Sequence, residues 1–388
     1  MYSGEIRDWP RQVSFGPGKV NELGRIVAAL GAQRVLVVCG KSVAQGAMLA
    51  RVRAGLGPLC VGVFGDAHAH SPFADVQAAS AQARELAADC LVSVGGGSAI
   101  DTAKGVVLHE TTAGDFAPYA IDYARKGMAR KPLPAAALLH VAVPTTAGSS
   151  SDVLPTAGIR DPARPVKMLF WDERLVPDGT VLDPEMAVFA GARLSAATGM
   201  TAVARAIESL YSAHRHPISM GLALHAARLL RDALPRSVNA PDDLEARADC
   251  QMACLMSGTA SINAMVSIVH AVGHVVGGRY GLQHGISHGI LLAPALRRLL
   301  PTLGRDAAYV LEGLGCTAGS SGSAADTAAE AIRGLLAQLP LPQRLREAGI
   351  GADDLPGIAA GTMGDYMMAN LPAPLTEADV LALLREAW

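Results

Sequence analysis

The first half of the chain repeats one pattern: a short, mostly apolar and largely β-branched run, then a helical stretch. "QRVLVVCG" leads into "SVAQGAMLARVRAGLG", "CVGVFGD" into "FADVQAASAQARELAAD", and "CLVSVGGG" into a further helix before "ALLHVAVPTT". A strand that faces water on one side alternates apolar and polar residues. Continuous apolar strands separated by helices need cover on both faces, so the pattern predicts a parallel α/β sheet. From Asp183 onward the apolar period becomes that of helices, in "ARLSAATGMTAVARAIESLYSAH", "SMGLALHAARLLRDALPRSV" and "LEARADCQMACLMSGTASINAMVSIVHAVGHVVG". Proline and glycine punctuate further helices at "LPLPQ", "LPG" and "LPAPLT", and "CTAGSSGSAADTAAEA" reads as a loop entering a helix. The expected organisation is an α/β dinucleotide-binding domain over 1–183 and an all-α domain over 184–388, with the site in a cleft between them.

Composition narrows the partners. The 388 residues are half apolar, enough for two cores, and carry a formal net charge of only −2. No basic arm is present and aromatic residues are 4%, which argues against a nucleic-acid partner. "MYSGEIRDWPRQVSFGPG" lacks the apolar core of a secretion signal, and the longest apolar runs are strand-sized, so no membrane association is expected. Six scattered cysteines, two of them spaced i,i+4 at Cys250 and Cys254, make no disulfide framework and fit a reducing cytoplasm.

"DCLVSVGGGSAIDTAKG" is a strand, then Gly95, Gly96 and Gly97, then a helix opened by Ser98. Glycines let a backbone approach a phosphate, and the helix N-terminus beyond offers unpaired N–H groups and a favourable dipole. "VPTTAGSSSD" also leaves a strand and gathers Thr145, Thr146, Ser149, Ser150 and Ser151 around Gly148. Neither is a Walker loop or GxGxxG. Two such loops on one sheet edge point to a dinucleotide.

"VHAVGHVVGGRYGLQHGISHG" places His270 and His274 one helical turn apart, with His284 and His288 beyond a glycine-containing loop. Histidines so spaced suggest a metal site, which needs about three or four protein ligands.

"GGGSAIDTAKG", "PTTAGSSSDV", "LDPEMA", "SAATGM" and "HAVGHVVGGRYGLQHGISHGILLAP" together resemble, in order, the iron-containing alcohol dehydrogenase family, over nearly the whole chain. The resemblance implies a dehydroquinate-synthase-like fold, hydride transfer between NAD(P) and a carbonyl or alcohol, and a homodimer. It implies that Gly96, Gly97 and Ser98 hold the pyrophosphate, with Asp101, Thr145, Thr146 and Lys167 lining the cofactor site. A solvated surface lysine is the other reading of Lys167. NAD-selective members tend to carry aspartate where "RVLVVCGKS" ends in Gly40, Lys41 and Ser42. Without that carboxylate a 2′-phosphate is not repelled, so NADP is expected, beside or instead of NAD.

In the family the positions of His270 and His284 bind a divalent metal, and that of His274 helps move a proton. The remaining two ligands, an aspartate and a histidine, fall in this chain on Thr201 and Arg205 of "TGMTAVARAIES". A guanidinium stays protonated and does not coordinate, and it would repel a divalent cation. No metal is therefore expected, and Thr201, Arg205, His270 and His284 form a degenerate site. Ligands recruited from elsewhere, Asp183 or His288, are the alternative, as is a non-redox enzyme on the same fold. Within the family, "FGDAHAHSP", "ESLYSAHRHP", "HGISHGI" and "ANLPAPLTEADVLALLREAW" resemble maleylacetate reductases. That likeness makes an activated carbonyl or enone of a keto acid the expected small-molecule substrate. His274, His284, His270 and Arg205 are then the catalytic candidates, and Thr201, Arg205, His70 and His288 the substrate-lining ones. Arg205 would polarise a carbonyl, stabilise an enolate or grip a carboxylate; the competing reading pairs it with Glu208 on a solvated face. For His270 the competing reading is a core histidine satisfied by a backbone carbonyl, and for His288 a hydrogen bond across the loop. His68, His214 and His216 read as surface residues.

Overall fold

The computed structural model describes residues 12–121, 131–164, 167–316 and 323–388. The N-terminal stretch through residue 11, and residues 317–322 of the loop read before the helix at 324, lie outside them.

Among the described residues eight strands form in chain order: β1 Val13–Phe15, β2 Val35–Cys39, β3 Cys60–Phe64, β4 Cys90–Gly95, β5 Leu139–Pro144, β6 Thr156–Ile159, β7 Met168–Trp171 and β8 Gly179–Leu182. Six make one sheet in the order β1-β8-β5-β4-β2-β3, every pairing parallel. The helices that accompany them are α1 Leu23–Ala29, α2 Lys41–Ala44, α3 Ala47–Leu56, α4 Phe73–Glu85 and α5 Gly97–Thr111, with the single turn α6 Pro184–Ala187 after β8. Alternate residues of one strand serve opposite faces: Val35, Val37 and Cys39 pack with α1 and α3, Leu36 and Val38 with α4 and α5. That two-sided burial is why β2 carries no polar residue, and why the buried Ser93 of β4 and His140 of β5 are paired with each other. The antiparallel hairpin β6–β7, unforeseen in the sequence, packs Ile159 and Phe170 beside Val76 and Leu108.

The chain divides into two compact units between Phe189 and Ala190, not at 183. The reason is α6, whose Met186 is buried in the strand core and whose Glu185 meets Arg51 at 2.8 Å.

The second unit is helical: α7 Ala192–Tyr211, α8 Pro217–Asn239, α9 Leu244–Ala264, α10 Ile268–Tyr280, α11 His284–Leu299, α12 Ala307–Gly313, α13 Ala324–Ala337, α14 Leu355–Met363 and α15 Glu377–Ala387. The long helical run of the sequence breaks at Met265, whose φ is +63°, and α10 leaves α9 at 104°. No single described helix is long and apolar enough to cross a membrane. None of the six cysteines is in a disulfide.

Candidate active site

In the α/β unit the two expected loops leave the C-terminal ends of neighbouring strands, since Gly95 of β4 is paired with Pro144 of β5. The chain turns β2 outward to β3 and β4 the other way to β5, so this edge is where ligands bind in open parallel sheets. Gly95 has φ +145°, which favours glycine, and Gly96 caps the fifteen-residue α5 with no side-chain hydrogen bond to its N–H groups. A Cβ on Gly97 would lie 3.1 Å from Ser149 Cβ and from Ser151 Oγ, and one on Gly96 would lie 3.2 Å from Thr146 Cγ2. Thr145 N–H donates to the Gly95 carbonyl at 3.0 Å, while the buried Thr146 hydroxyl has no partner. Open N–H groups, a side-chain-free cradle and an orphaned hydroxyl fit a dinucleotide pyrophosphate.

Behind the loop, Ser98 is clasped by two residues with positive φ: its hydroxyl accepts the His70 N–H at 3.1 Å, and its carbonyl the Ser71 hydroxyl at 3.0 Å. Asp101 accepts the Gly158 N–H at 3.2 Å. Lys167 packs over Gly158, and burial, more than its neighbour Arg160, lowers its ammonium pKa against the pull of Asp101. The solvated reading of Lys167 therefore does not hold. Burial, then Lys167 and Arg160, likewise lowers the pKa of His70. Arg160 went unnoticed in the sequence, where nothing sets it apart. Lys104, completely buried, donates to the carbonyls of Leu154 and Thr156 at 2.6 and 2.9 Å; burial brings its pKa down to about 8. At the end of β2, Gly40 stands where a Cβ would come within 3.0 Å of the Ala67 carbonyl, and exposed Lys41 opens α2. Asp66, on the adjoining strand end, adds to the burial that raises the Cys39 thiol to about 11.

In the helical unit α7, α10 and α11 bring the remaining candidates together. Thr201 and Arg205 lie one turn apart on α7 and both are buried. The solvated-face reading of Arg205 with Glu208 is thus corrected. Glu208 is wholly buried, accepting from the Ser267 and Val269 N–H groups at 3.1 and 2.9 Å and from the Ser267 and Tyr211 hydroxyls at 3.2 Å. It also holds His270 Nδ1. One carboxylate therefore caps the N-terminus of α10 and orients its first histidine. The carbonyl-satisfied reading of His270 fails accordingly: its partner is Glu208, and Nε2 is left buried and unpartnered.

His288 lies within α11, not in a loop, and neither of its ring nitrogens has a hydrogen-bond partner. A Cβ on Gly273 of α10 would sit 2.6 Å from His288 Nε2, so a glycine there makes room for the imidazole. The imidazoles form a row: His270 to His288 at 4.2 Å between centroids, His288 to His284 at 5.5 Å, and His284 to His274 at 5.8 Å. Burial lowers the pKa of His270, with Glu208 opposing and Arg205 and His274 adding to the fall. His288 falls well below the usual imidazole range through burial, then through His270, His284 and Arg205. Both are neutral near pH 7. His274, a third exposed, has Nδ1 on Asp365 at 2.8 Å. His216 is not a plain surface residue; its Nδ1 accepts the Ser219 N–H and caps α8.

This donor set does not fit a divalent cation. Among the described residues no group of three or more His, Cys, Asp or Glu side chains is arranged to hold a metal. The Arg205 charge acts on His270 and His288, and the hydroxyl of Thr201 turns back to the Ala197 carbonyl at 3.4 Å. Asp183 is no substitute ligand, because it accepts from the N–H groups of Gly18, Val20 and Glu185 in the α/β unit.

The model of the family described as "Iron-containing alcohol dehydrogenase" matches residues 10–184, and that of "Fe-containing alcohol dehydrogenase family, C-terminal" matches residues 195–388. Maleylacetate reductase 2 of Cupriavidus pinatubonensis is 34% identical over 65% of this chain, an alignment spanning 61% of that protein's own length. 4-Hydroxybutyrate dehydrogenase of Cupriavidus necator is 32% identical over 95% of this chain and 96% of its own. A crystal structure of a 1,3-propanediol oxidoreductase superposes over 100% of both chains with a TM-score of 0.91 and 29% identity.

Proposed function

Because the chain belongs to the iron-containing alcohol dehydrogenase family and is an NAD(P)-dependent oxidoreductase, we propose that it is a metal-independent reductase of activated carbonyls. Its substrates include double bonds conjugated to a carbonyl, as in a keto acid of the maleylacetate type. The observation that carries this reading is Arg205, a buried permanent cation acting on His270 and His288. The bound nicotinamide supplies the hydride. The chain's own residues do the rest. Gly95, Gly96, Gly97 and Ser98 hold the pyrophosphate, and Asp101, Thr145, Thr146, Ser149 and Lys167 line the cofactor. Arg205 stabilises negative charge as it develops on the substrate oxygen, in a site where water is scarce. His274 delivers the proton, held in one tautomer by Asp365 and open to solvent for reprotonation, with His284 beside it. Thr201 and His288 shape the substrate pocket.

Gly40 and Lys41 in place of a carboxylate favour NADPH, with NADH also accepted. The enzyme works as a cytoplasmic homodimer. The test is oxidation of NADPH and NADH with keto acids, enones and simple aldehydes, with and without a chelator. Activity that a chelator abolishes and a stoichiometric metal restores would overturn the metal-independent reading.

A further inference from the structure

Lys104 is a completely buried ammonium to which the chemistry proposed above gives no task. It belongs to one face of α5, where Gly97, Asp101 and Lys104 follow one another at helical spacing. Each of the three meets the second cofactor loop or the strand into which that loop runs. Gly97 lies against Ser149 and Ser151, Lys104 donates to the Leu154 and Thr156 carbonyls at 2.6 and 2.9 Å, and Asp101 accepts the Gly158 N–H at 3.2 Å. The Leu154 peptide passes the restraint back along the loop. Its N–H donates at 2.9 Å to the carbonyl of Ser150, the residue between the two serines that face Gly97. Ser150 has φ +53°, a conformation that a residue with a side chain keeps only where its surroundings hold it.

We propose that Lys104 is a positioning residue for the cofactor: through the Leu154 peptide it sets how closely residues 145–152 stand over the glycine loop. The proposal rests on the reading of these two loops as the cofactor cradle. The acceptors of the ammonium are peptide carbonyls, and no ion pair holds it among the described residues. A charged donor makes hydrogen bonds roughly twice as strong as a neutral one, so the protonated lysine holds the loop more firmly than the free amine.

The charged and titratable groups facing Lys104 are Asp101 on its own helix, Asp152 on the loop and His140 on β5. Strand β6 adds none, and on α4 Asp75 pairs with His68 and Arg84 with Glu110. Burial outweighs the two carboxylates and brings the lysine to about 8, so its proton is lost just above neutrality. A cofactor that needs the loop in place in turn holds the proton on Lys104. Cofactor affinity therefore falls as pH rises through about 8.

NADH is the probe, since none of its groups titrates near pH 8, and its fluorescence reports binding to the cofactor-free protein. The unmodified protein should bind it roughly 5- to 10-fold more weakly at about pH 9.5 than at about pH 7. Lys104→Met should bind weakly at both, with a ratio below about twofold, because the titrating group is gone. Lys167→Met removes a second cation of the cradle whose pKa burial also lowers. It should weaken NADH at both pH values and keep a ratio of about fivefold. A ratio that persists in Lys104→Met, or that vanishes in Lys167→Met instead, overturns the proposal. Proton uptake decides the matter should Lys104→Met not fold. Calorimetry at about pH 8, in buffers of different ionisation enthalpy, should find roughly 0.4 proton taken up per NADH by the unmodified protein and by Lys167→Met. Uptake below about 0.1 in either overturns the proposal. Failure to bind NADH at any pH removes the cofactor reading and the positioning role with it, whereas binding without pH dependence removes the positioning role alone.

Discussion

His274 Nδ1 lies 2.8 Å from Asp365 Oδ2, though 91 residues separate them in the chain. Asp365 is itself fixed, because it caps the turn Tyr366–Asn370 by accepting the Met367 N–H at 2.9 Å. A carboxylate held this way sets the tautomer of the imidazole and makes Nε2 the nitrogen for the proton delivery proposed above. Asp365→Asn removes the charge while keeping the shape. Turnover is expected to fall roughly 10- to 100-fold with little change in KM, measured by steady-state NADPH oxidation. An unchanged kcat would show that His274 is not the proton donor.

Glu208 ties α7 to the start of α10. Glu208→Gln keeps the size but weakens a buried acceptor of four hydrogen-bonding neighbours, Tyr211, Ser267, Val269 and His270. The variant should lose about 2–4 kcal/mol of stability in urea unfolding, confined to the cooperative unit containing the helical domain. A loss under about 0.5 kcal/mol would mean that the carboxylate is not the anchor described here.

The cofactor loops touch through Gly97. Gly97→Ala puts a methyl group 3.1 Å from Ser149 and Ser151, so NADPH affinity should drop by about 10-fold, read by nucleotide fluorescence titration. Lys41→Ala should lower NADPH affinity by roughly 3- to 10-fold and leave NADH unaffected, read by nucleotide fluorescence titration. Equal losses for both nucleotides would remove Lys41 from any 2′-phosphate contact.

His140 sits in the sheet with Nε2 at 2.8 Å from Ser93 Oγ, and burial, then Lys104, drops its pKa to about 3. An imidazole with a depressed folded pKa binds its proton more readily once unfolded. Its stabilising share is complete above the unfolded pKa of about 6.5 and is lost as pH falls from there toward about 3, by an amount of the order of 5 kcal/mol. His140→Gln should flatten the acid limb of a stability-against-pH curve over that window. The same slope in the variant would assign the acid sensitivity elsewhere.

Restoring an aspartate and a histidine on α7 reverses the argument about metal. The double variant Thr201→Asp, Arg205→His should take up about one zinc or iron ion per chain by elemental analysis, using His270 Nε2 and His284 as its other ligands. The unmodified chain should bind far less than one. Similar metal content in both would contradict the role given to Arg205.

The sheet was legible in the sequence because a strand buried on both faces must be apolar along its whole length. Val35–Cys39 satisfies that locally, before any tertiary contact exists, and Cys90–Val94 does so with Ser93 as its one polar residue. The glycine loop was legible for a similar reason: only glycine tolerates φ +145° at Gly95. The hairpin β6–β7 was not, because its four-residue strands lack a period long enough to recognise. The spacing of His270, His274, His284 and His288 announced a site, and Thr201 with Arg205 already argued against a metal there. What the site contains besides these residues was decided only by tertiary structure. Asp365 and Glu208 look like ordinary surface acids in the sequence, and Gly273 like an ordinary helix glycine. The first reaches His274 across 91 positions, the second is buried by the break at Met265, and the third makes room for His288. Periodicity and backbone limits are properties of neighbours along the chain, whereas hydrogen-bond partners and depressed pKa values are properties of neighbours in space.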